Sequence, residues 1–389
     1  MHLFSLSDKT GSLKRSRFFY WVLTLLFVSC ISLKAQLDNA SLFLNVEHDT
    51  VREHALYAKI QNLNFMKDNE YSGPIAEGYT LFGYQLNTQI GYKLSKNLSI
   101  EGGIFLSKDF GRTDFFQVLP SFTMRYVKRD FKMAFGNIDG SLNHQLIEPL
   151  YNFERVISNR LESGAQFVIN KKHFGIDAWI DWQYKETISS PEPERFITGG
   201  SFDVFKINNE KLEFKIPLQG LIRHTGGQQD TLHLGTRTYW NYAAGVVLKY
   251  KTGARLIKAI YTDVRYVAND YYHYHVGKTT YQNGTGLLAN IGFKGLYDTD
   301  VMLSYWYGDN YNCETGGFLY SSHSSVPVYS YYSERYRDLL ILRISKNFVL
   351  AKGTNLMVRI EPNYDIRNNW FETAFGFYIS LDERLWLKN

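Results

Sequence analysis

"TLFGYQLNTQIGYKLSKNLSIEGGIFLS", residues 80–107, decides the fold. Its even positions read Phe82, Tyr84, Leu86, Thr88, Ile90, Tyr92, and its odd positions read Gly83, Gln85, Asn87, Gln89, Gly91. Side chains of a strand point alternately to opposite faces, so this period of two writes one oily face and one wet face. A polar knot at Ser95–Asn97 then turns the chain, and the alternation resumes.

The same period recurs along the chain. "FGIDAWIDWQY" sets Phe174, Ile176, Ala178, Ile180, Trp182 and Tyr184 against Gly175, Asp177, Trp179, Asp181 and Gln183. "FFQVLPSFTMRY", "NLMVRIEP" and "WFETAFGFYISL" behave alike. Each segment runs roughly 9 to 13 residues, longer than strands of soluble sheets and about the length that crosses a bilayer at a tilt. Short polar turns ("KLSKNL", "VKRDF", "INKKHF", "INNEKL", "YKTGARL", "KGLYDTD", "SKNFVLAKGTN") alternate with longer irregular stretches near 63–79, 108–114, 138–162, 185–195, 223–236, 268–284, 309–334 and 365–369. That asymmetry predicts an all-β, transmembrane, antiparallel up-and-down β-barrel of about 16 strands (14 to 18), with short periplasmic turns and longer extracellular loops. Aromatic residues crowd the strand ends in "TYWNY", "SYWY", "NNWF" and "DWQY", as interfacial girdles do. A soluble sandwich or propeller also alternates; strand length, girdles and export signal favour the membrane barrel.

The chain has 389 residues, of which 29 are Tyr, 27 Phe and 30 Gly, and beyond residue 35 it holds no apolar run long enough for a membrane helix. Lys14, Arg15 and Arg17 precede "FFYWVLTLLFVSCISL", and Ala35 offers a cleavage point, so residues 1–35 read as a cleaved signal peptide rather than a retained anchor or a lipoprotein signal acylated at Cys30. Five basic residues and one acid leave with it, and the formal charge falls from +5 to +1. No basic stripe remains for nucleic acid. Cys313, alone after cleavage, can form no intramolecular disulfide and reads as an exposed or partly covered thiol in "DNYNCETGG". Residues 36–53 are expected as a periplasmic N-terminal lead-in and 54–389 as the barrel.

The inner face carries both signs: Glu101, Asp177, Asp181, Glu213, Asp263, Glu361 and Glu372 against Arg125, Lys215, Arg255, Arg265, Arg343 and Arg359. Mixed signs suit a wet, salt-bridged wall better than an ion-selective ring. Lys258 falls on the oily face of "ARLIKAIYTDVRYV", where a midplane lysine would cost roughly 2–4 kcal/mol, so it must snorkel at an interface or sit beside a bulge.

Segment 138–162 is too long for a hairpin turn. It mixes Asn143, His144, Gln145, Glu148, Tyr151, Glu154 and Arg155 with Leu142, Leu146, Ile147, Leu150 and Phe153. Apolar residues in a loop must be buried, and the lumen is nearest, so the segment is expected to fold inward as a pore constriction rather than to pack as a lid on the rim. "FGNIDGSLNHQLIEPLYNFE", with "GYTLFGYQ" and "SKDFG" upstream, resembles uncharacterised porin-like outer-membrane β-barrel proteins of Bacteroidetes-type Gram-negative bacteria over most of residues 70–185. The resemblance implies an outer-membrane location and a barrel, and brings no catalytic residue.

In "NDYYHYHVGKTTYQNGTG", Tyr271, Tyr272 and Tyr274 suit either a carbohydrate face or an outer aromatic girdle, and His273 and His275 lack a third metal ligand. Ser141 with His144, or His224 with Asp230, has the residue types of a nucleophile and a base, but neither pair sits in a known motif. The chain therefore reads as a non-enzyme without cofactor or metal: a porin-like channel for small polar solutes, constricted by 138–162. A closed barrel for surface polysaccharide assembly or anchoring is the alternative, and an outer-membrane hydrolase the least favoured. Expected partners are outer-membrane lipid and a polar solute or carbohydrate, with a homo-oligomer left open.

Overall fold

In the computed structural model, which describes residues 37, 39–43, 51–187, 190–227, 234–275 and 277–388, sixteen antiparallel strands close on themselves. They are β1 (Ala55–Glu70), β2 (Tyr79–Lys93), β3 (Leu98–Asp109), β4 (Gln117–Lys128), β5 (Phe131–Asn137), β6 (Ser163–Asn170), β7 (Gly175–Tyr184) and β8 (Arg195–Asn208), followed by β9 (Leu212–Thr225), β10 (Thr236–Lys251), β11 (Ile257–His275), β12 (Lys278–Gly295), β13 (Thr299–Asp309), β14 (Tyr336–Ala351), β15 (Thr354–Asp365) and β16 (Trp370–Lys388). Each strand pairs with its neighbours in sequence, and β1 pairs with β16 from Leu56↔Lys388 to Glu70↔Thr373. Closure leaves no unpaired edge, the condition for a sheet in hydrocarbon.

The period of two becomes two surfaces. Phe82 and Ile90 are 50% and 54% exposed, whereas Gln85 and Gln89, on the opposite face of the same strand, are 2% and 5% exposed. Phe122, Phe135, Phe167, Leu218, Tyr266, Ile291 and Ile360 continue the outward apolar band around the molecule. An apolar surface that encircles a protein this way requires lipid. The protein is an outer-membrane β-barrel, and membrane lipid is its surrounding partner.

Three sequence expectations change. Segment 268–284 is not a loop: β11 and β12 stay paired out to His275↔Lys278. Arg255 lies in the turn before β11, exposed, and not on the inner wall. Cys313 is buried, its Sγ 3.3 Å from the Leu150 carbonyl oxygen. Within the expected lead-in, Leu42 packs on inward-facing Leu63, Phe65, Met357 and Tyr378. Lys258 keeps its outward position beside a register shift at the start of β11, exposed and 3.3 Å from Asp298. Residues 1–35, read as the signal peptide, lie outside the described residues.

Candidate functional site

Inside the barrel, segment 138–162 is held from several sides. Ile147 and Leu150 pack on Ala243, Val267, Leu288, Trp306, Leu339 and Ile341 of β10–β14. Phe153, Val156 and Ile157 pack on β1, β15 and β16. Tyr151 and Leu146 pack on Ala134, Trp179, Ile197 and Leu221 of β5 and β7–β9. The loop 310–335 ties down its back: Asn152 N donates to Thr315 O at 2.8 Å and Gly317 N to Glu148 O at 2.9 Å.

The polar residues of this segment meet inner-wall partners. His144 ends the 3-10 turn Ser141–His144, with Nε2 3.0 Å from Glu162 Oε2 and Nδ1 3.0 Å from Asp177 Oδ2. Burial alone would lower the imidazole's pKa; the Glu162 and Asp177 carboxylates outweigh it and raise the value to about 9. The ring stacks on Trp179 at 4.0 Å and 14°. Burial likewise works against the Glu162 charge, yet His144 holds its carboxyl below the usual range. Glu162 Oε1 also accepts from Tyr151 Oη at 2.6 Å and from Ser141 N at 2.8 Å. A Cβ at Gly140 would come within 2.6 Å of the Glu162 carboxyl carbon, so only glycine fits there. Arg155 lies over the Tyr151 ring at 4.4 Å. Glu148 pairs with Arg343 and accepts from Tyr320 Oη at 3.1 Å, while Glu154 accepts from Asn69 Nδ2 at 2.7 Å and from Tyr79 Oη. Gln145 adopts a left-handed backbone, and its carbonyl accepts from Gln219 Nε2 at 2.8 Å. Asn143 lines, with His144 and Asp177, a cavity of about 700 Å³.

Most of the wall charges pair with opposite signs. Arg125 Nη1 donates to both oxygens of Asp139 at 2.9 and 2.8 Å, and Lys132 reaches the same carboxylate. Glu101 accepts from Tyr57 Oη at 2.8 Å and lies 3.5 Å from Lys59. Glu361 bridges Lys67, at 2.9 Å, and Arg359. Asp263 pairs with Arg265, Lys215 with Asp203, and Glu213 with Lys249 and Lys251. Asp181 accepts from Ser163 N, and Glu372 from the backbone of Ser72 and Gly73. Among the described residues this is a cross-linked wall, with no ring of one sign.

The interior pair Ser141 and His144 does not make a nucleophile and base. Ser141 Oγ is buried with no hydrogen-bond partner, and both His144 nitrogens face carboxylates, so the ring has no lone pair to offer.

The outer wall holds a different arrangement. His224 on β9 and Thr238 on β10 are cross-strand partners, with Nδ1 2.8 Å from Thr238 Oγ1. His224 Nε2 lies 2.8 Å from Gly226 O. A carbonyl oxygen only accepts, so Nε2 carries the hydrogen; in the neutral ring Nδ1 then presents its lone pair, and the Thr238 hydroxyl donates to it. Asp230, the sequence's partner for His224, lies outside the described residues. The pair shares its strand face with Leu218, 43% exposed, and Trp240, 45% exposed, which makes it lipid-facing. It belongs to a cross-strand row Trp182↔Phe196↔His224↔Thr238↔Tyr272↔Tyr281. Phe196 lies 5.1 Å from the His224 ring and stacks on Trp182. Tyr272 and Tyr274 are outward members of this belt; Tyr271 faces inward, stacked on Tyr239 at 4.3 Å and 20°.

Sequence reading missed Thr238 and Glu162. Thr238 was within reach: it shares even parity with His224 across one hairpin, but the register had no anchor. Among the described residues, no group of three or more His, Cys, Asp or Glu is placed to hold a metal ion.

Three solved structures are similar to the chain at low identity. A loop L8 deletion mutant of OmpT, an outer membrane protein of Vibrio cholerae, aligns at TM-score 0.49 and 11% identity over 84% of this chain and 99% of its own. The anion-selective porin from Comamonas acidovorans gives 0.47 and 11% over 85% and 99%. OccK11 of Pseudomonas aeruginosa gives 0.49 and 9% over 87% and 100%. No curated protein matches the chain. The family described as Lipid A 3'-O-deacylase-type matches residues 47–389. That match overturns the expectation of a non-enzyme, because the family is described by an ester-cleaving activity. Spanning the whole barrel, it shows that the chain belongs to the Lipid A 3'-O-deacylase-type family.

Proposed function

We propose that this protein is an outer-membrane esterase that removes an acyl chain ester-linked to the sugar of lipid A, with Thr238 as nucleophile and His224 as its base. The observation that carries the reading is the Thr238 hydroxyl aimed at the His224 Nδ1 lone pair on the lipid-facing wall. The pair lies at the loop-side end of β9 and β10, the end that faces the outer leaflet in an outer-membrane barrel. A glycolipid ester reaches it from the membrane without entering the lumen.

In this mechanism Thr238 Oγ1 attacks the ester carbonyl as its proton passes to His224 Nδ1. Collapse of the tetrahedral intermediate breaks the bond to the sugar oxygen, which leaves as the hydroxyl after taking that proton. Water, deprotonated by the same nitrogen, then releases the fatty acid and restores Thr238. Gly226 O holds the tautomer throughout, and the Tyr272 hydroxyl, on the cross-strand partner of Thr238, is a candidate donor to the oxyanion. Passive passage of polar solutes fits less well, because apolar side chains of segment 138–162 pack across the lumen.

The test is mass spectrometry of lipid A incubated with purified protein in detergent. His224→Ala and Thr238→Val are expected to slow fatty-acid release at least about 100-fold, the lower bound for losing a general base, while Thr238→Ser retains activity. Release at the wild-type rate from both His224→Ala and Thr238→Val would refute the assignment.

A further inference from the structure

Above the level of His224 and Thr238, the β11–β12 hairpin outruns β9, while β10 stays paired with β11 as far as Thr236↔Tyr274. The last β9–β10 pair is Arg237↔Thr225, whereas β11 continues from Tyr272, the partner of Thr238, to His275. Three residues at about 3.4 Å each carry it roughly 10 Å further from the membrane. Beyond the hydrocarbon a strand has no need of aromatic side chains on its lumen side, yet this hairpin places three rings there in succession.

Tyr271, His273 and His275 share the inward face, and Tyr239 lies beside Tyr271 as its cross-strand partner. The rings are nearly parallel: Tyr239 and Tyr271 at 4.3 Å and 20°, Tyr271 and His273 at 6.4 Å and 22°, His273 and His275 at 6.1 Å and 21°. Polar groups flank them. Arg223 Nη1 pairs with Glu314 Oε2 at 2.6 Å, and Glu314 also interacts with Tyr239. Two buried polar atoms in this group, His273 Nε2 and Arg223 Nε, have no hydrogen-bond partner. Near-parallel rings with unspent donors beside them match the chemistry of a sugar: the C–H bonds of a pyranose face meet the negative ring faces, and its hydroxyls take the polar groups.

We propose that Tyr239, Tyr271, His273 and His275, flanked by Arg223 and Glu314, form a saccharide-binding platform for the oligosaccharide that a lipid A anchor carries above the membrane. The inference rests on the esterase reading for its choice of saccharide. It assigns the two faces of the paired strands β10 and β11 separate tasks: outward Thr238 and Tyr272 meet the acylated part, and inward Tyr271 and His273 meet the sugars that rise past the rim.

The probe is the free oligosaccharide obtained by complete deacylation of rough lipopolysaccharide, titrated into detergent-solubilised full-length protein by isothermal calorimetry. The double variant Tyr271→Ala/His273→Ala is expected to bind it about ten-fold more weakly, while Tyr272→Ala/Tyr274→Ala, on the opposite face, binds as wild type. His224→Ala should bind as wild type, so failure of the esterase reading and failure of the platform are separable. With lipopolysaccharide as substrate the inward variant should raise KM at unchanged kcat, and with free lipid A it should change neither. Wild-type protein that does not bind the oligosaccharide, an inward variant that binds it undiminished, or loss confined to the outward variant would each overturn the proposal.

Discussion

His144 shows how one side chain can be read correctly as important and wrongly as to kind. Its ring is fully buried between two carboxylates, so replacing it with Gln strips the charge that Glu162 and Asp177 are built around. Breaking a buried ion pair on one side costs about 3–5 kcal/mol, and His144→Gln is expected to lower the unfolding midpoint of the detergent-solubilised protein accordingly. The pH dependence has a definite sign. A folded-state value of about 9 against an unfolded 6.5 means that the imidazolium's contribution is complete below pH 6.5, declines as pH rises, and is lost above about 9. The window amounts to on the order of 3 kcal/mol. Limited proteolysis of segment 138–162 is therefore expected to be faster at pH 10 than at pH 6, with His144→Gln at pH 6 cleaved like wild type at pH 10; equal protection at both pH values would contradict the ion-pair account. Sequence alone could not supply this. Spacing places Ser141 three residues from His144 and suggests a dyad, while the actual partners, Glu162 and Asp177, come from the loop's far end and from β7.

At the scale of elements, legibility followed the hydrocarbon. Where a strand crosses lipid, one face must be apolar, and the period of two marked β2, β4, β7, β15 and β16 plainly. Where a strand leaves the membrane, neither face is constrained and the period fades although the hydrogen-bond ladder continues. That is why 268–284 reads as a loop and folds as the paired ends of β11 and β12, and why β1 runs through "KDNE" to Glu70. Segment 138–162 behaves oppositely: without regular structure beyond short turns, it is fixed by its side chains. Leu150, fully buried among residues of β10–β14, is its central anchor. Leu150→Ala is expected to cost about 2–5 kcal/mol of local stability. Hydrogen exchange should quicken in 142–158 while β1–β16 keep their protection, because the barrel's ladder does not depend on the segment. A uniform loss of protection across the strands would show that the loop and wall unfold as one unit.

For the whole molecule, the question is what a sixteen-strand cylinder does when its inside is occupied. A barrel of this strand number without an obstruction leaves an aqueous channel. Here the middle of the lumen holds small cavities of about 90 and 30 Å³, bordered by Glu148, Phe153, Tyr320 and Arg343, and the larger spaces, about 830 and 700 Å³, border the short-turn side. The material in between is mostly segment 138–162, packed on inward side chains of β1, β5 and β7–β16. Wild-type protein in planar bilayers is therefore expected to give no stable conductance steps, and a variant with 142–158 replaced by a short glycine-serine linker to give steady ones. The same variant should still release fatty acid from lipid A, since His224 and Thr238 stand on the other side of the wall and none of their contacts involves the segment. The two readouts divide the molecule cleanly. Steady currents from the wild type would return the lumen to solute passage, and loss of hydrolysis on removing the segment would move the chemistry from the lipid face to the interior.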